Sequence, residues 1–506
     1  MFKNALISVA DKTNLIEFVK PLADQGMRIL STGGTARHLQ EAGISVVSVS
    51  DQTQFPEVMD GRVKTLHPNI HMCLLARGEN KSDLKVLSEN GLEPIDLVVG
   101  NLYRFEDALK RGVVGNELTE FIDIGGPSFL RAGAKNFSRI SVVCDPNDYQ
   151  WILEKKELTL EDRQYLASKV FAHTSTYDAM IAKTLGMNHE SKDFSVGGAF
   201  ERTLRYGENP DQKSAWFRKL GAKNGLHEAQ VIQGKELSFN NLLDIEAAVS
   251  TLREFSGVPT CVSLKHQNPC GVSLGNDCAD AISRSLKADP VSVFGGIIAV
   301  NEEIDADGAQ ELVELFLECV VAPSYSKEAL AVFARKKNLR ILEWPGLMER
   351  ETDYDLRPVS GGFLLQTQDT VDEGWGEDWK IIGDEPDEAV AMDIVLAWKT
   401  VAHLKSNAIA IAAEGSTVGL GMGQVNRVDA VEQAIDRMKR FHPDTDNAVL
   451  ASDAFFPFPD SVEKIAEAGI KWVIQPGGSI KDDEVIAKCK ELGVHLVLTG
   501  RRHFLH

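Results

Sequence analysis

Met27-Arg28-Ile29-Leu30-Ser31-Thr32-Gly33-Gly34-Thr35-Ala36-Arg37-His38-Leu39-Gln40-Glu41-Ala42 changes character twice along its length. An apolar run of strand length gives way to small polar residues and glycine, then to a segment with helical spacing that stops at Gly43. Strand, small-residue loop and helix start is the order that aims backbone N–H groups and hydroxyls at a phosphate. An ordinary α/β connection has the same composition, so the stretch speaks more firmly for the fold class than for the ligand.

The flanking segments repeat the pattern. Ala5-Leu6-Ile7-Ser8-Val9 reads as a strand, and Asp11-Lys12-Thr13-Asn14 offers N-cap chemistry to a helix holding Leu15, Ile16, Phe18 and Val19. Lys12 can add positive charge beside the glycine loop. Ile44-Ser45-Val46-Val47-Ser48-Val49 is a third strand. Gly61-Arg62-Val63-Lys64-Thr65-Leu66-His67-Pro68 is basic and turn-rich, and in an extended backbone Arg62 and Lys64 face one way. Ile95-Asp96-Leu97-Val98-Val99-Gly100 is a buried strand whose carboxyl end leads into Asn101-Leu102-Tyr103, where open α/β sheets bind ligands; simple packing of the tyrosine is the competing reading. Phe121-Ile122-Asp123-Ile124-Gly125-Gly126-Pro127-Ser128 places a second pair of glycine donors before a helix carrying Arg131 and Lys135, four apart on one face. Ile140-Ser141-Val142-Val143-Cys144 closes a doubly wound α/β domain over residues 1–145. Residues 146–196 read as a helical connector, with the boundary in the polar stretch 186–196, and residues 197–506 form the remainder.

The chain has 506 residues, enough for about three domains of ~150 residues. Lys+Arg of 54 against Asp+Glu of 74 gives a net charge of −20, which disfavours nucleic acid and anionic membrane as partners. Seven scattered cysteines suit reduced thiols in a cytoplasm, and no apolar run reaches the ~20 residues of a membrane span.

In the remainder, Arg202-Thr203-Leu204-Arg205-Tyr206-Gly207-Glu208-Asn209-Pro210 ends a strand in a forked donor and a stacking face. Cys261-Val262-Ser263-Leu264 is a buried strand that Pro269 and Gly271 should break, leaving Lys265 and His266 at a strand end facing a loop. A fixed cation beside a group titrating near neutrality suits proton removal from a weak amine while charge builds on a carbonyl; the bland reading is a solvated Lys-His pair. Gly295-Gly296 in a strand pattern implies close approach of a ligand or another strand. Hairpin strands at 408–412 and 418–423, a helix at 428–438 and a strand at 448–458 repeat the order of 258–300, which suggests two related α/β lobes with a cleft between them. Cys270 and Cys278 lack the close cysteine pair and His-x-Glu partner of a zinc deaminase, so metal catalysis is rejected.

Seven stretches taken in order resemble the bifunctional purine-biosynthesis enzymes that join an aminoimidazole carboxamide ribonucleotide (AICAR) formyltransferase to an inosinate (IMP) cyclohydrolase, over essentially the whole length. They are Ser31-Thr32-Gly33-Gly34-Thr35, Gly61 to Pro68, Ile122-Asp123-Ile124-Gly125-Gly126, Arg205-Tyr206-Gly207-Glu208-Asn209-Pro210, Leu264-Lys265-His266-Gln267-Asn268-Pro269-Cys270-Gly271, Ser452-Asp453-Ala454-Phe455-Phe456-Pro457-Phe458 and Gln475-Pro476-Gly477-Gly478-Ser479-Ile480. The resemblance implies an N-terminal methylglyoxal-synthase-like domain and two tandem cytidine-deaminase-like lobes without zinc. It implies that Ser8, Lys12, Ser31, Thr32, Gly34 and Thr35 hold the nucleotide phosphate of the cyclohydrolase, while Arg62, Lys64, Tyr103, Asp123, Gly125, Gly126 and Lys135 surround the base, with Lys64, Tyr103, Asp123 and Lys135 catalytic and Thr65 a further substrate-binding residue.

For the transferase, Lys265 and His266 match the catalytic pair. Arg205, Tyr206, Gly296, Asn407, Arg427, Phe455 and Arg502 match substrate-gripping positions, and Asp460 the folate side. The implied cosubstrate is 10-formyltetrahydrofolate, with AICAR, its formylated product FAICAR and IMP as the nucleotides. No tightly bound cofactor is implied, and the implied assembly is a homodimer with shared transferase sites. Arg104, Gly133 and Met422 depart from the family pattern. The rival readings are a deaminase-like hydrolase and, for the N-terminal domain, a purely regulatory nucleotide-binding module.

Overall fold

A computed structural model describes residues 2–59, 62–155, 157–186, 193–351, 354–371 and 374–506. Gly61 of the basic motif and residues 187–192 of the expected boundary stretch lie outside the described residues. The chain divides into two units, residues 1–200 with 217–221, and residues 201–216 with 222–506.

Unit 1 is built on a five-stranded parallel sheet of β1 (Asn4–Ser8), β2 (Arg28–Ser31), β3 (Val47–Ser48), β4 (Leu97–Gly100) and β5 (Ser141–Val143), in the order β3-β2-β1-β4-β5. The winding reverses between β1 and β4, and at such a switch point the strand carboxyl ends open a crevice. Ser8, Ser31 and the Asn101–Tyr103 segment stand there because each ends or follows one of these strands. The apolar residues of β1 alternate between two cores, Leu6 in one and Ala5 and Ile7 in the other, so both faces of the sheet are covered. The helix Leu160–Leu185 opens with a Thr159–Asp162 capping box and packs Val170, Tyr177 and Met180 into the first of these cores.

The structure departs from three local expectations. Gly33, Gly34 and Thr35 are the first turn of the helix Gly33–Glu41 and not a loop before it, with Thr32 at the N-cap. The strand expected over 44–49 shrinks to β3, because the Ser48 hydroxyl accepts the Asp51 N–H and starts the helix Val49–Thr53. Asn14 does not cap through its side chain; it sits at φ 54°, and the Asp11 carboxylate instead takes the N–H and hydroxyl of Thr13.

A ribbon of β6 (Gly198–Leu204) and β7 (Ser214–Lys219) contains the division between the units. Unit 2 then holds a single twelve-stranded sheet with an internal repeat. One half contains β8 (Gln230–Gln233), β9 (Thr260–Lys265), β10 (Asn268–Leu274), β11 (Ile297–Val300), β12 (Cys319–Ala322) and β13 (Arg340–Glu343). A separate exposed ribbon pairs β14 (Tyr354–Val359) with β15 (Gly362–Thr367). The other half contains β16 (Lys380–Ile382), β17 (Ile409–Ala413), β18 (Ser416–Gly421), β19 (Val449–Ser452), β20 (Trp472–Gln475) and β21 (His495–Leu498). The order β16-β21-β20-β19-β17-β18-β10-β9-β11-β12-β13-β8 reads the same from either end in connectivity. In each half an antiparallel hairpin is followed by three parallel strands and an antiparallel edge strand.

The tandem lobes expected from the sequence are therefore present, but β10 and β18 pair and fuse them into one sheet. One face carries a shared core that the helices Phe239–Leu252 and Glu388–Val401 cover. The opposite face carries a separate core in each half. The fit extends to glycine. A methyl group added at Gly271 of β10 would lie 2.3 Å from the Ser285 carbonyl oxygen, and one at Gly421 of β18 would lie 2.1 Å from that of Ala430. In both halves the helix after the hairpin thus rests directly on strand backbone.

The Asn268-Pro269-Cys270-Gly271 segment does not break the strand into a loop. It is the start of β10, with a register shift between Pro269 and Gly271 that accommodates the proline. Gly295 and Gly296 precede β11 rather than lying in it. A methyl at Gly296 would meet the carbonyl oxygens of Leu264 and Val293 at 2.8 and 2.9 Å, so the close approach there is to protein backbone.

Two candidate functional sites

In unit 1 the loop after β1, the first turn of Gly33–Glu41, the basic segment, the segment after β4 and the helix Gly125–Lys135 converge. A methyl at Gly33 would lie 3.1 Å from Lys64 Nζ, which places that ammonium over the helix N-terminus, and Lys64 Nζ also stands 3.7 Å from Glu57. Thr65 Oγ1 lies 2.9 Å from the position a methyl would take on Gly125. Asp123 accepts the Gly126 N–H at 2.8 Å, and a side chain on Gly126 would strike that carboxylate and Leu102. The Tyr177 hydroxyl, donating to Phe121 O, accepts the Asp123 N–H at 2.8 Å and fixes the turn from behind.

Burial raises the Asp123 carboxyl above its ordinary range despite the N–H groups of Gly126 and Tyr103 that it accepts. Burial, with Asp123 and Glu57 adding to it, also raises the Tyr103 phenol, which keeps it a neutral donor. Lys64 thus stands over a helix N-terminus and beside Glu57, and Tyr103 feels the charges of Asp123 and of the same Glu57, a set of groups suited to an anionic group and a polarised carbonyl.

The phosphate-side residues divide. Ser8 Oγ and Thr32 Oγ1 lie 3.1 Å apart at the carboxyl ends of β1 and β2. The Ser31 hydroxyl donates to Ile7 O at 2.6 Å, and the Thr35 hydroxyl both accepts the Val9 N–H and donates to Val9 O. These two side chains staple neighbouring strand ends, so their backbone and Gly34 are what remains for an anion. Asn101 was missed by sequence reasoning: its side-chain oxygen accepts the N–H groups of Ala10 and Asp11, and its amide donates to Asp11 O, which shapes the loop carrying Lys12. Arg62 pairs with Glu120 at the surface. Lys135 is exposed in the last turn of its helix, about 15 Å along the axis from Gly125 at 1.5 Å per residue, and does not join the cluster. Arg104 pairs with Asp11 at 3.3 Å, and Gly133 keeps the helix close to Val142 and Val98.

In unit 2 a cleft of about 550 Å³ gathers Arg202, Arg205, Tyr206, Lys265 and His266 with Asn241, Asp244, Glu318 and Arg340. Lys265 donates to Phe294 O at 2.6 Å, which turns its ammonium toward the turn before β11. His266 and Gln267 form the two-residue turn between β9 and β10, at φ 53° and 59°. Two residues at positive φ are the mark of a type I′ hairpin, which ordinarily takes Asn-Gly. Side chains other than glycine there cost of order 1–3 kcal/mol each, and such strain concentrates at functional sites. Arg205 lies 5.4 Å over the Tyr206 ring. Asn241 donates to Glu318 at 2.7 Å, so the helix N-terminus after the Ser238 cap is tied to the cleft floor. Asn241, Asp244, Glu318 and Arg340 went unnoticed in the sequence because nothing local distinguishes them from surface polar residues.

Of the other expected transferase residues, Gly296 lies in the first half between Gly295 and Ile297, which line this cleft, whereas Asn407, Arg427, Phe455, Asp460 and Arg502 lie in the second half and do not line it. Arg427 and Asp453 form a buried ion pair, with side chains 4% and 0% exposed. Arg427 also donates to Ala408 O at 3.0 Å and to Asn407 Oδ1 at 2.7 Å, while Asn407 Nδ2 donates to Gln424 O. One side of the Arg427 guanidinium, Nη1 and one N–H of Nη2, is therefore held by protein groups. Phe455, Asp460 and Arg502 are exposed, Asp460 at the start of the helix Asp460–Glu467 and Arg502 stacked 4.5 Å over Phe504. Met422, at a small-residue position, packs against the shared core. Among the described residues no His, Cys, Asp and Glu side chains are grouped as ligands for a metal ion, and no helix is long and apolar enough to cross a membrane.

The chain is similar to known proteins along its whole length. A family model described as "AICARFT/IMPCHase bienzyme" matches residues 133–437, and one described as "MGS-like domain" matches residues 14–128. The "Bifunctional purine biosynthesis protein PurH" of Aquifex aeolicus is 47% identical over 510 residues, covering 99% of this chain and 100% of its own. Its namesake in Bacillus subtilis is 46% identical over 517 residues, covering 100% of this chain and 99% of its own.

Proposed function

Because this chain belongs to the AICARFT/IMPCHase bienzyme family, it carries out the last two steps of IMP biosynthesis, formyl transfer to AICAR and ring closure of the formylated product, and we propose how its residues divide that work. The transferase step implies a folate cosubstrate. We take that donor to be 10-formyltetrahydrofolate and place the transfer in the cleft of unit 2, where Arg205 and Tyr206 grip the nucleotide. His266 takes the proton of the 5-amino group as its nitrogen attacks the formyl carbon, and Lys265 stabilises the oxyanion that forms. Collapse of the tetrahedral adduct releases tetrahydrofolate and leaves FAICAR.

Ring closure belongs to the crevice of unit 1. Ser8, Thr32 and the N–H groups of the Gly33–Glu41 first turn hold the phosphate, aided by Lys12. Lys64 and Tyr103 polarise the formyl oxygen while the carboxamide nitrogen attacks the formyl carbon, and Asp123 with Gly125 and Gly126 shapes the floor; loss of water gives IMP. The observation that carries this assignment is that each unit holds its own pairing of anion-binding groups with a proton-transfer or polarising group. We further propose a homodimer with shared transferase sites. Phe455, Asp460 and Arg502 lie outside the cleft that holds His266, and the β14–β15 ribbon exposes Leu356, Phe363 and Leu364, both of which a second copy would answer.

The test supplies AICAR and 10-formyltetrahydrofolate to the full chain and follows FAICAR and IMP separately. Lys64→Ala should accumulate FAICAR, and His266→Ala should form FAICAR at least a hundredfold more slowly, on the order of a lost acid-base group, yet convert added FAICAR to IMP. If either substitution removes both activities from a folded protein, the division is wrong.

A further inference from the structure

The two halves of unit 2 hold their hairpin turns in the same way but with different residues, and the difference falls on the catalytic turn. In the second half, β17 and β18 are joined by Glu414 and Gly415 at φ 52° and 74°. The Asp393 carboxylate, in the helix Glu388–Val401, accepts both turn N–H groups, Glu414 at 2.8 Å and Gly415 at 2.6 Å. In the first half the turn is His266-Gln267, and the carboxylate beneath it is Asp244 of the helix Phe239–Leu252. Asp244 Oδ1 accepts the Gln267 N–H at 2.8 Å, and the carboxylate also takes the His266 N–H.

Both carboxylates lie under a turn at the sixth position of their helices, so the device belongs to the repeat. Only the second half supplies the glycine that such a turn prefers at its second position. The first half forgoes it, and Gln267 needs the anchor more than Gly415 does. The carbonyl side of the catalytic turn is pinned as well, since Asn268 Nδ2 donates to His266 O at 3.0 Å and Asn268 Oδ1 accepts the Lys405 N–H at 3.1 Å.

We propose that Asp244 is a positioning residue for formyl transfer, which holds the strained His266-Gln267 turn closed so that the imidazole faces the cleft. This rests on the reading of His266 as the proton acceptor. Without the carboxylate the two N–H groups lose their shared acceptor, the turn relaxes toward negative φ, and His266 spends less time in reach of the substrate amine. Binding groups elsewhere in the cleft are untouched, so the loss should fall on turnover.

The experiment compares Asp244→Ala, Asp393→Ala and Asp244→Ala/Gln267→Gly in the full chain, with the urea midpoint read by tryptophan fluorescence, which reports mainly on unit 2, as the check on folding. Asp244→Ala should lower the kcat of formyl transfer at least tenfold with KM for AICAR changed less than threefold. Asp393→Ala should leave kcat within threefold. Glycine at 267 should restore most of the lost kcat, because it adopts the turn without the anchor. An Asp244→Ala kcat within threefold of the parent overturns the proposal, as does failure of Gln267→Gly to rescue a folded Asp244→Ala protein. His266→Ala, measured alongside, separates the two ideas: full transfer in that variant removes the catalytic reading itself, whereas its loss beside an unaffected Asp244→Ala removes only the positioning role.

Discussion

Asp453→Ala should be among the most damaging single changes in unit 2, although Asp453 lies outside the cleft that holds His266. Its carboxylate is fully buried and accepts the Arg427 guanidinium, the Ser406 hydroxyl at 2.5 Å and the Ala408 N–H at 3.1 Å. Alanine removes all three bonds and leaves a guanidinium in the protein interior without its counter-charge. Removing one partner of a buried ion pair costs about 3–5 kcal/mol, because the other charge is left uncompensated. With a urea m-value of about 3 kcal/mol/M for a unit of this size, the midpoint should fall by about 1–2 M.

Tryptophan fluorescence reads this transition selectively, since Trp216, Trp344, Trp375, Trp379, Trp398 and Trp472 lie in unit 2 and only Trp151 lies in unit 1. Adding Arg427→Met to Asp453→Ala removes the orphan charge and should recover at least about 1 kcal/mol of the loss. A single-variant midpoint within 0.2 M of the parent, or a double variant less stable than the single, would refute the account of Arg427 as one half of a buried ion pair.

Other outcomes follow from the same geometry. His266→Ala should reduce formyl transfer by about 10²–10⁴-fold, the usual contribution of a positioned acid-base group, with ring closure of added FAICAR unchanged. Tyr103→Phe should slow ring closure and spare transfer; equal effects on both steps, measured on the separated reactions, would contradict the assignment to unit 1. Gly421→Ala must displace the helix Arg427–Phe441 from β18 and should cost about 1–3 kcal/mol by urea denaturation, as should Gly271→Ala against the helix Cys278–Ala288; unchanged midpoints would show that the helices have room.

Alkaline pH should weaken the fold through the cysteines. All seven are buried, and burial pushes the thiols up, Cys73 to about 11 and Cys270 to about 12 from an ordinary 9.0. Above pH 9 the unfolded chain releases protons that the folded chain keeps, so stability falls between pH 9 and about 11, and Cys270→Ala should lessen that slope in urea titrations.

Much of the molecule was legible in the order of its residues. Apolar runs of strand length alternating with capped helical segments specify a doubly wound unit and a repeated pair of lobes, because those signals act over a few residues and need no distant partner. Gly125-Gly126 at a helix start and Lys265-His266 at the end of β9 were found for the same reason. What only the tertiary structure decided involves partners far apart in the chain. Ser31 and Thr35 look like free phosphate ligands until β1 lies beside them and takes their hydroxyls. Arg427 matches a substrate-gripping position in the sequence, and only the packed structure shows that Asp453 holds one side of its guanidinium. The turn at His266 and Gln267 has no glycine to announce it; hairpin closure and a carboxylate from another helix impose positive φ where local preference opposes it. Local preference sets which elements form, while desolvation and long-range hydrogen bonding set which polar groups remain available for chemistry.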